Sequence, residues 1–497
     1  MNFNSIEFLI FFPVVCLCYY IIPHKVRYLF LLFCSYFFYM CWNPKYAILL
    51  FVSTLITWIS GYLLEKMNQI RDERKKQISR KLCVLASFAS NLGILFFFKY
   101  YHYAESIWSK LCAVTGIGIQ MPAFDVILPV GISFYTFQAL SYTMDVYRGE
   151  IYAEKNILKY ALFVSFFPQL VAGPIERSKN LLKQISTRHE FQVDAVRSGL
   201  LLMLYGFFQK VVVSEYLATT VNNVYNTYTE RSGFQLLVAT VFFAFQIYCD
   251  FAGYSNIAIG AARVMGFQLM ENFNAPYFSQ SVAEFWRRWH ISLSTWFRDY
   301  LYIPLGGSRK GIVRKQINRL IVFGVSGLWH GASGHFVVWG LLNGVYQIVG
   351  DILQPVRKKV KQILHVRENE FSHKALKTLI TFALIDISWI FFRATMGQGI
   401  VILKRILAFW RPGWIQWGVN LNVMQLSDGR IWVVVFSLII LIGADICKYV
   451  GFQASQFIMK QGIWMRWLIY LAGIFGILIY GIYGPAYSAS EFIYFQF

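Results

Sequence analysis

The chain has 497 residues, of which 57% are hydrophobic and 19% aromatic, while only 14% are charged. This balance excludes a soluble globular domain and indicates a polytopic membrane protein. The formal net charge of +21 could indicate nucleic-acid binding, but the basic residues lie in short loops between apolar stretches. The positive-inside rule accounts for them there, so we expect membrane lipid as the surroundings and no nucleic-acid partner.

Apolar stretches of membrane-spanning length recur along the whole chain. The first, Ile6 to Ile22, has no basic residues before it and is interpreted as a retained span rather than a signal peptide. The pattern predicts an all-α membrane bundle of about eleven or twelve transmembrane helices, with re-entrant and interfacial helices, in a single domain over residues 1–497. The predicted spans are 5–23, 27–42, 46–64, 82–100, 124–142, 157–173, 196–215, 234–262, 318–330 paired with 335–351, 376–395, 430–447 and 467–484.

Loop charge predicts the orientation of these spans. The loop from Glu65 to Lys81 carries seven basic residues, which places it in the cytoplasm and the N-terminus outside. Three later basic loops, 309–319, 357–377 and 448–466, are also assigned to the cytoplasm. The tail 485–497 is then extracytoplasmic, and we expect the chain in a bacterial cytoplasmic membrane.

The stretch from Glu284 to Gly307 is too charged to span a membrane. At 100° per residue, Trp286 and His290 share an aromatic face, while Arg287 and Arg288 fall on other sides. We predict an amphipathic helix at the cytoplasmic interface, with His290 directed at protein or acyl chains. A histidine satisfied in the protein core is the alternative interpretation of His290.

The passage SGLWHGASGHFVVWG places Trp329, His330 and His335 between apolar segments. Because both flanking loops are assigned to the cytoplasm, the chain must enter the membrane and return, and the glycines predict a turn near GASG. A helix rising about 1.5 Å per residue from Arg319 brings His330 roughly 16 Å deep, near the bilayer midplane. An imidazole at that depth indicates function, whereas His335 is expected to be a polar lining group.

Other polar groups lie inside apolar runs, notably Asp250 and Tyr254, together with Asp386 and Asp445. Hydrogen bonding between helices explains such groups as well as a substrate site does. The eight cysteines show no pairing pattern, and neither metal-ligand spacing nor a GxSxG, HExxH or nucleotide-binding motif is present. We therefore expect no metal and look to histidine chemistry inside a membrane.

Eight passages together resemble the membrane-bound O-acyltransferase family, in the bacterial branch of the alginate O-acetylation membrane subunit and the teichoic acid D-alanyl transferase. They are MNFNSIEFLIFFPVV, PVGISFYTFQ, AGPIER, DFAGYSNIAIG, NFNAPY, RRWHISLSTWFRDYLYIPLGG, LWHGASGHFVVWG and WIFFRA. The resemblance implies a curved helical bundle around a central funnel, where a cytoplasmic acyl thioester meets an acceptor from outside. It also implies that His330 is the catalytic histidine and His290 the second histidine of this branch. The candidate substrate-binding residues are Trp329, Trp286, Arg287, Arg288, Asp250, Tyr254 and Asn343, the last standing where the family usually has a histidine.

The chain ends in FIYFQF, which resembles the C-terminal aromatic motif that the D-alanylation system carries on a separate small protein. The resemblance makes Tyr494 a candidate acyl carrier, because a phenyl ester keeps a high transfer potential. The alternative interpretation is an aromatic anchor at the membrane interface.

The function expected from these observations is O-acetylation of a surface polysaccharide or peptidoglycan, with acetyl-CoA as donor and an extracytoplasmic acyltransferase or esterase-like protein as partner. D-alanyl transfer to teichoic acid is the alternative within the family. A proton-coupled transporter or flippase is a third hypothesis, but it predicts paired interrupted helices related by an internal repeat, and the sequence shows none.

Overall fold

The computed structural model describes residues 1–116, 121–122, 124, 128–171, 173–415, 424, 426 and 428–483. All regular structure in these residues is helical, so the predicted all-α class is confirmed. The chain forms two compact units, of which unit 1 comprises Met1–Met203 and Ile257–Met270, and unit 2 comprises Leu204–Asn256 and Glu271–Phe497. The single domain over residues 1–497 stays a prediction, and its tail 485–497 lies outside the described residues.

In unit 1, capping side chains next to the first turn define where two of the long helices begin. Asn43 accepts a hydrogen bond from Lys45 N–H ahead of a proline in the first turn, and Asp72 accepts from the first N–H groups of the longest helix. The helices are α1 (Ile6–Ile21), α2 (His24–Met40), α3 (Pro44–Met67), α4 (Glu73–Thr115), α5 (Ile132–Arg148), α6 (Ile157–Ser165), α7 (Phe167–Leu170) and α8 (Ser178–Ser186).

Two further helices, α9 (Val193–Phe207) and α11 (Gly233–Val264), belong partly to each unit. A π-helical segment, Phe208–Ser214, joins α9 to α10 (Glu215–Asn226). The other helices of unit 2 are α12 (Val282–Arg288), α13 (Ile291–Phe297), α14 (Ile312–His330), α15 (Gly334–Ile352), α16 (Gln354–Ile363), α17 (Phe371–Arg393), α18 (Met396–Leu407), α19 (Asp428–Tyr449), α20 (Ala454–Met459) and α21 (Ile463–Tyr480), with a 3-10 turn at Pro276–Phe278 and a π-helical turn at Arg298–Tyr302.

Seven helical segments of the described chain are long and apolar enough to cross a membrane, and the pair α15 and α16, bent by 50°, could be an eighth. This count is lower than the predicted eleven or twelve spans. The difference arises because α1, α2 and α5 have only 16 or 17 residues, α6 has nine, and α14 carries three basic residues near its start. The chain is a multi-pass membrane protein.

Helices α14 and α15 form the hairpin that was predicted around GASG. Helix α14 ends at His330 and α15 begins at Gly334, so only three residues make the turn. Glycines let the two backbones approach closely, because a Cβ at Gly327 would lie 2.3 Å from the Phe336 carbonyl oxygen and one at Gly340 would lie 2.2 Å from that of Phe323. This tight packing fixes His330 at the closed end of the hairpin.

The predicted continuous amphipathic helix over residues 284–307 is wrong. Helix α12 ends at Arg288, Trp289 is extended, and His290 has φ 45° and ψ 53°, in the left-handed region, before α13 begins. The side chains of Trp289 and His290 are both buried on either side of this break. A helical wheel assumes regular dihedral angles and so cannot reveal such a turn.

Candidate active site

His330 lies in an aromatic enclosure at the closed end of the hairpin. Its side chain is 3% exposed. The imidazole meets three rings edge-on, with centroid distances of 4.9 Å to Trp329, 5.0 Å to Trp339 and 5.4 Å to Phe392. Helices α14, α15 and α17 each supply one of these rings, so the environment of His330 depends on all three helices.

Trp329 connects the two candidate histidines. Its ring centroid lies 5.9 Å from that of His290 and 4.9 Å from that of His330. His290 is also buried and meets the ring of Phe251, on α11, edge-on at 4.6 Å. Residues 40 positions apart in the sequence are thus brought against one indole.

Burial also determines the charge of His290. Removal from water lowers the pKa of His290 to about 3, because the charged imidazolium loses its hydration. The ring is therefore neutral near pH 7. A neutral imidazole can donate one hydrogen bond and accept another, which is what a positioning group at an acyl-transfer site requires.

Two predicted binding residues support the wall of this enclosure. Asn343 donates from Nδ2 to the Trp339 carbonyl oxygen at 2.9 Å and accepts from Trp286 Nε1 at 3.2 Å. The rings of Trp286 and Trp339 meet edge-on at 5.6 Å. Asn343 thereby holds the Trp286 indole, which packs against the Trp339 ring that contacts His330.

The two predicted arginines differ in their surroundings. Arg287 is exposed, whereas Arg288 forms an ion pair with Glu284 at 3.0 Å and donates to the Asn274 carbonyl oxygen at 3.1 Å. The Arg288 guanidinium also lies 5.0 Å from the centroid of the Tyr449 ring. Arg288 therefore has structural contacts, and Arg287 presents its charge to the surroundings.

Asp250 and Tyr254 belong to a buried charged cluster that was not predicted from the sequence. Lys210, on the π-helical segment, lies 2.5 Å from Asp250 Oδ1 and 2.9 Å from Glu215 Oε1, and all three side chains are buried. The Tyr254 ring centroid lies 5.6 Å from the Lys210 ammonium. A lysine inside the apolar run FFQKVVVS was the available signal, because an isolated ammonium in a membrane needs a partner.

Three other polar residues from the sequence analysis have described positions. Asp445 accepts a hydrogen bond from the Tyr248 hydroxyl at 2.8 Å, the interhelical contact expected for it, and Asp386 is buried on α17. His335, at the start of α15, has its Nδ1 atom 3.0 Å from the carbonyl oxygen of Phe391 on α17. Tyr494 lies outside the described residues.

Comparison with known proteins identifies the family. A family model described as the membrane-bound O-acyltransferase family matches residues 152–362, which include both histidines. The probable alginate O-acetylase of Pseudomonas aeruginosa is 37% identical over 396 residues, covering 79% of this chain and 72% of the relative. The chain belongs to the membrane-bound O-acyltransferase family. It is therefore an O-acyltransferase that uses an acyl donor, as the sequence predicted.

Two further relatives in this family have different acceptors. A peptidoglycan O-acetyltransferase of Helicobacter pylori is 32% identical over 439 residues, covering 81% of this chain and 79% of the relative. A teichoic acid D-alanyltransferase of Bacillus subtilis is 28% identical over 249 residues, covering 48% of this chain and 63% of the relative. The similarity to the two O-acetylating relatives thus extends over much more of the chain than the similarity to the D-alanyltransferase.

Proposed function

We propose that this O-acyltransferase moves an acetyl group from cytoplasmic acetyl-CoA across the membrane for O-acetylation of a surface polysaccharide or peptidoglycan. The observation that carries the proposal is the contact of His290 and His330 with one buried tryptophan, Trp329. The acetyl group is favoured because the relatives named as O-acetylating enzymes match about four fifths of the chain, and the D-alanyltransferase about half.

His330 acts as the general base in this proposal. The imidazole accepts the proton of the acceptor hydroxyl while the hydroxyl oxygen attacks the thioester carbonyl carbon. The carbon–sulfur bond then breaks, and the imidazolium returns the proton to the leaving thiolate, so that an ester and free coenzyme A are the products. A general base of this kind contributes about 10² to 10⁴ in rate.

The aromatic rings around His330 protect this reaction from water. Rings from α14, α15 and α17 leave the imidazole almost fully buried. A site closed to bulk water slows hydrolysis of the thioester and strengthens electrostatic interactions with the developing oxyanion. His290, neutral and buried on the other side of Trp329, either donates to that oxyanion or positions the donor.

Tyr494 is the proposed carrier of the acyl group. Its phenol oxygen attacks the thioester at His330 and forms a phenyl ester, which an extracytoplasmic acyltransferase or esterase-like protein then transfers to a glycan hydroxyl. This route agrees with the predicted topology, in which the basic loops face the cytoplasm of a bacterial cell and the tail 485–497 lies outside.

The direct test is acetyl transfer by the purified chain in detergent micelles. With radiolabelled acetyl-CoA, we expect label on the C-terminal peptide of the wild type, located on Tyr494 by mass spectrometry and absent from Y494F. H330A should lower the initial rate of labelling about a hundredfold or more, since it removes the base. The matched control is H102A, which removes an exposed histidine of unit 1 and should leave the rate unchanged.

Two results would contradict the proposal. Labelling from a D-alanyl carrier protein but not from acetyl-CoA would assign the chain to D-alanyl transfer. Full labelling of H330A would show that His330 is not the catalytic base. If bacteria that express H330A also lost export of the surface polymer, a transport function would be favoured.

A further inference from the structure

The backbone at His290 adopts a conformation that side chains other than glycine rarely take. Its φ of 45° and ψ of 53° lie in the left-handed region, and two other non-glycine residues of the described chain, Ala275 and His365, also have positive φ. A Cβ-bearing residue is disfavoured there because its Cβ approaches the following carbonyl oxygen. Such strain persists only where the surrounding structure holds it, and it occurs often at functional sites.

Asn272 holds the turn that contains His290. Its backbone carbonyl oxygen accepts from Ile291 N–H at 3.0 Å. Its side-chain Oδ1 accepts from the Ser292 hydroxyl at 2.6 Å and from Ser292 N–H at 3.3 Å. The two residues that follow His290 therefore both form hydrogen bonds to one buried asparagine, which is 1% exposed.

The NH₂ group of the Asn272 side chain forms a hydrogen bond to α11. Nδ2 donates to Ser255 Oγ at 3.1 Å. Because Ser292 N–H can only donate, the amide oxygen must face it, and the NH₂ group must then face Ser255. Ser255 lies one helical turn beyond Phe251, whose ring contacts His290. Asn272 thus links the strained turn to the helix that also packs on the imidazole.

We infer that Asn272 is a positioning residue for acyl transfer, which keeps the His290 imidazole against Trp329 by holding the left-handed turn. This inference rests on the proposed function for the role of His290. Asn272 itself touches no reacting atom and acts through the main chain of Ile291 and Ser292. Without the side-chain hydrogen bonds to Ser292 and Ser255, the turn would keep only the main-chain bond from Ile291 N–H and would relax, which moves the imidazole away from the indole.

The test replaces Asn272 by leucine, which has a similar size but no hydrogen-bonding group, and by aspartate, which keeps the acceptor oxygens. N274L is the matched control, because Asn274 lies two residues away, is only half-buried, and bonds Arg288 through its main chain. Two quantities are measured on the full-length chain in detergent micelles. They are the modification of His290 by diethyl pyrocarbonate, read by peptide mass spectrometry, and the kcat and KM for acetyl transfer.

We expect His290 to be protected in the wild type, N274L and N272D, and modified in N272L, while exposed His102 is modified in every variant. At a temperature below the unfolding midpoint of every variant, N272L should lower kcat about a hundredfold with little change in KM, as expected for an imidazole displaced by about 1 Å. N272D should restore a large part of that loss.

Two outcomes would overturn the inference. The first is protection of His290 in N272L, and the second is a kcat for N272L equal to that of N274L. If N272L fails to fold, S292A, which removes one donor to Asn272, is measured in the same way and should show partial modification of His290. If the wild type transfers no acetyl group, the proposed function fails, whereas the modification pattern still decides whether Asn272 holds His290 in place.

Discussion

The close approach of helices α14 and α15 at Gly327 predicts a large effect from adding one methyl group there. Its new Cβ would lie 2.3 Å from the Phe336 carbonyl oxygen, about 1.1 Å short of the 3.4 Å at which ordinary contacts begin. The clashing atoms are main chain and cannot rotate away. In G327A the two helices must therefore separate by about 1 Å near the turn that carries His330.

The magnitude of the effect follows from this displacement. Overpacking of a close helix contact costs about 1–3 kcal/mol in the free energy of unfolding. His330 lies three residues beyond Gly327 on the same helix, so its imidazole should move by a similar distance. A displacement of about 1 Å at a reacting group lowers turnover about a hundredfold.

The assay compares G327A with G324A, one turn earlier on α14. A Cβ at Gly324 would meet only Leu341 Cδ2, at an ordinary 3.5 Å, so G324A should be neutral or stabilising by about 0.5–1 kcal/mol. Unfolding midpoints in detergent, followed by the fluorescence of the 15 tryptophans, and rates of acetyl transfer are measured for both variants. If G327A and G324A behaved alike in both assays, the close helix contact would not be what places His330.

Two further predictions concern buried charge. K210M leaves the carboxylates of Asp250 and Glu215 buried without the ammonium that bridges them, so the free energy of unfolding should fall by about 3–5 kcal/mol. K76M breaks a surface ion pair and should cost less than about 1 kcal/mol, and equal losses in the two variants would refute the bridging role of Lys210. For His290, the folded-state pKa of about 3 lies below the usual value of 6.5, so the unfolded chain binds the proton first. The contribution of neutral His290 to the free energy of unfolding should therefore be fully present above pH 6.5 and be lost as pH falls toward 3. The unfolding midpoint of H290N should decline less steeply over this pH range than that of the wild type.

The hairpin could be predicted from the sequence because its signals are local. Two apolar stretches separated by GASG, with basic residues at both outer ends, indicated a turn beside His330, and the chain turns there. The contact of His290 with Trp329 could not be predicted, since it depends on the packing of residues far apart in the sequence. The left-handed turn at His290 was also missed, because helical periodicity continues through Trp289 and His290 although the backbone does not.

Asp250 illustrates a different limit. An acidic residue in an apolar run indicated either a substrate site or a structural partner, and Asp250 was predicted to be a binding residue. In the structure its carboxylate contacts Lys210, which lies 40 residues earlier in the chain. The sequence indicates that a buried charge needs a partner, but the partner is identified only when the π-helical segment and α11 come together.

This separation has a consequence for how the chain enters the membrane during synthesis. Translation at about 5–20 residues per second makes Lys210 several seconds before Asp250. Until then Lys210 has only Glu215 of its two carboxylate partners, and a lysine at the centre of a spanning helix costs about 2.5–3.5 kcal/mol on insertion scales. We therefore expect the segment 193–226 to integrate poorly from a nascent chain truncated before α11, and fully once α11 has emerged, in a glycosylation-mapping assay of insertion. The early span thus needs the carboxylate of Asp250, made later on α11, in addition to its own Glu215 to insert fully.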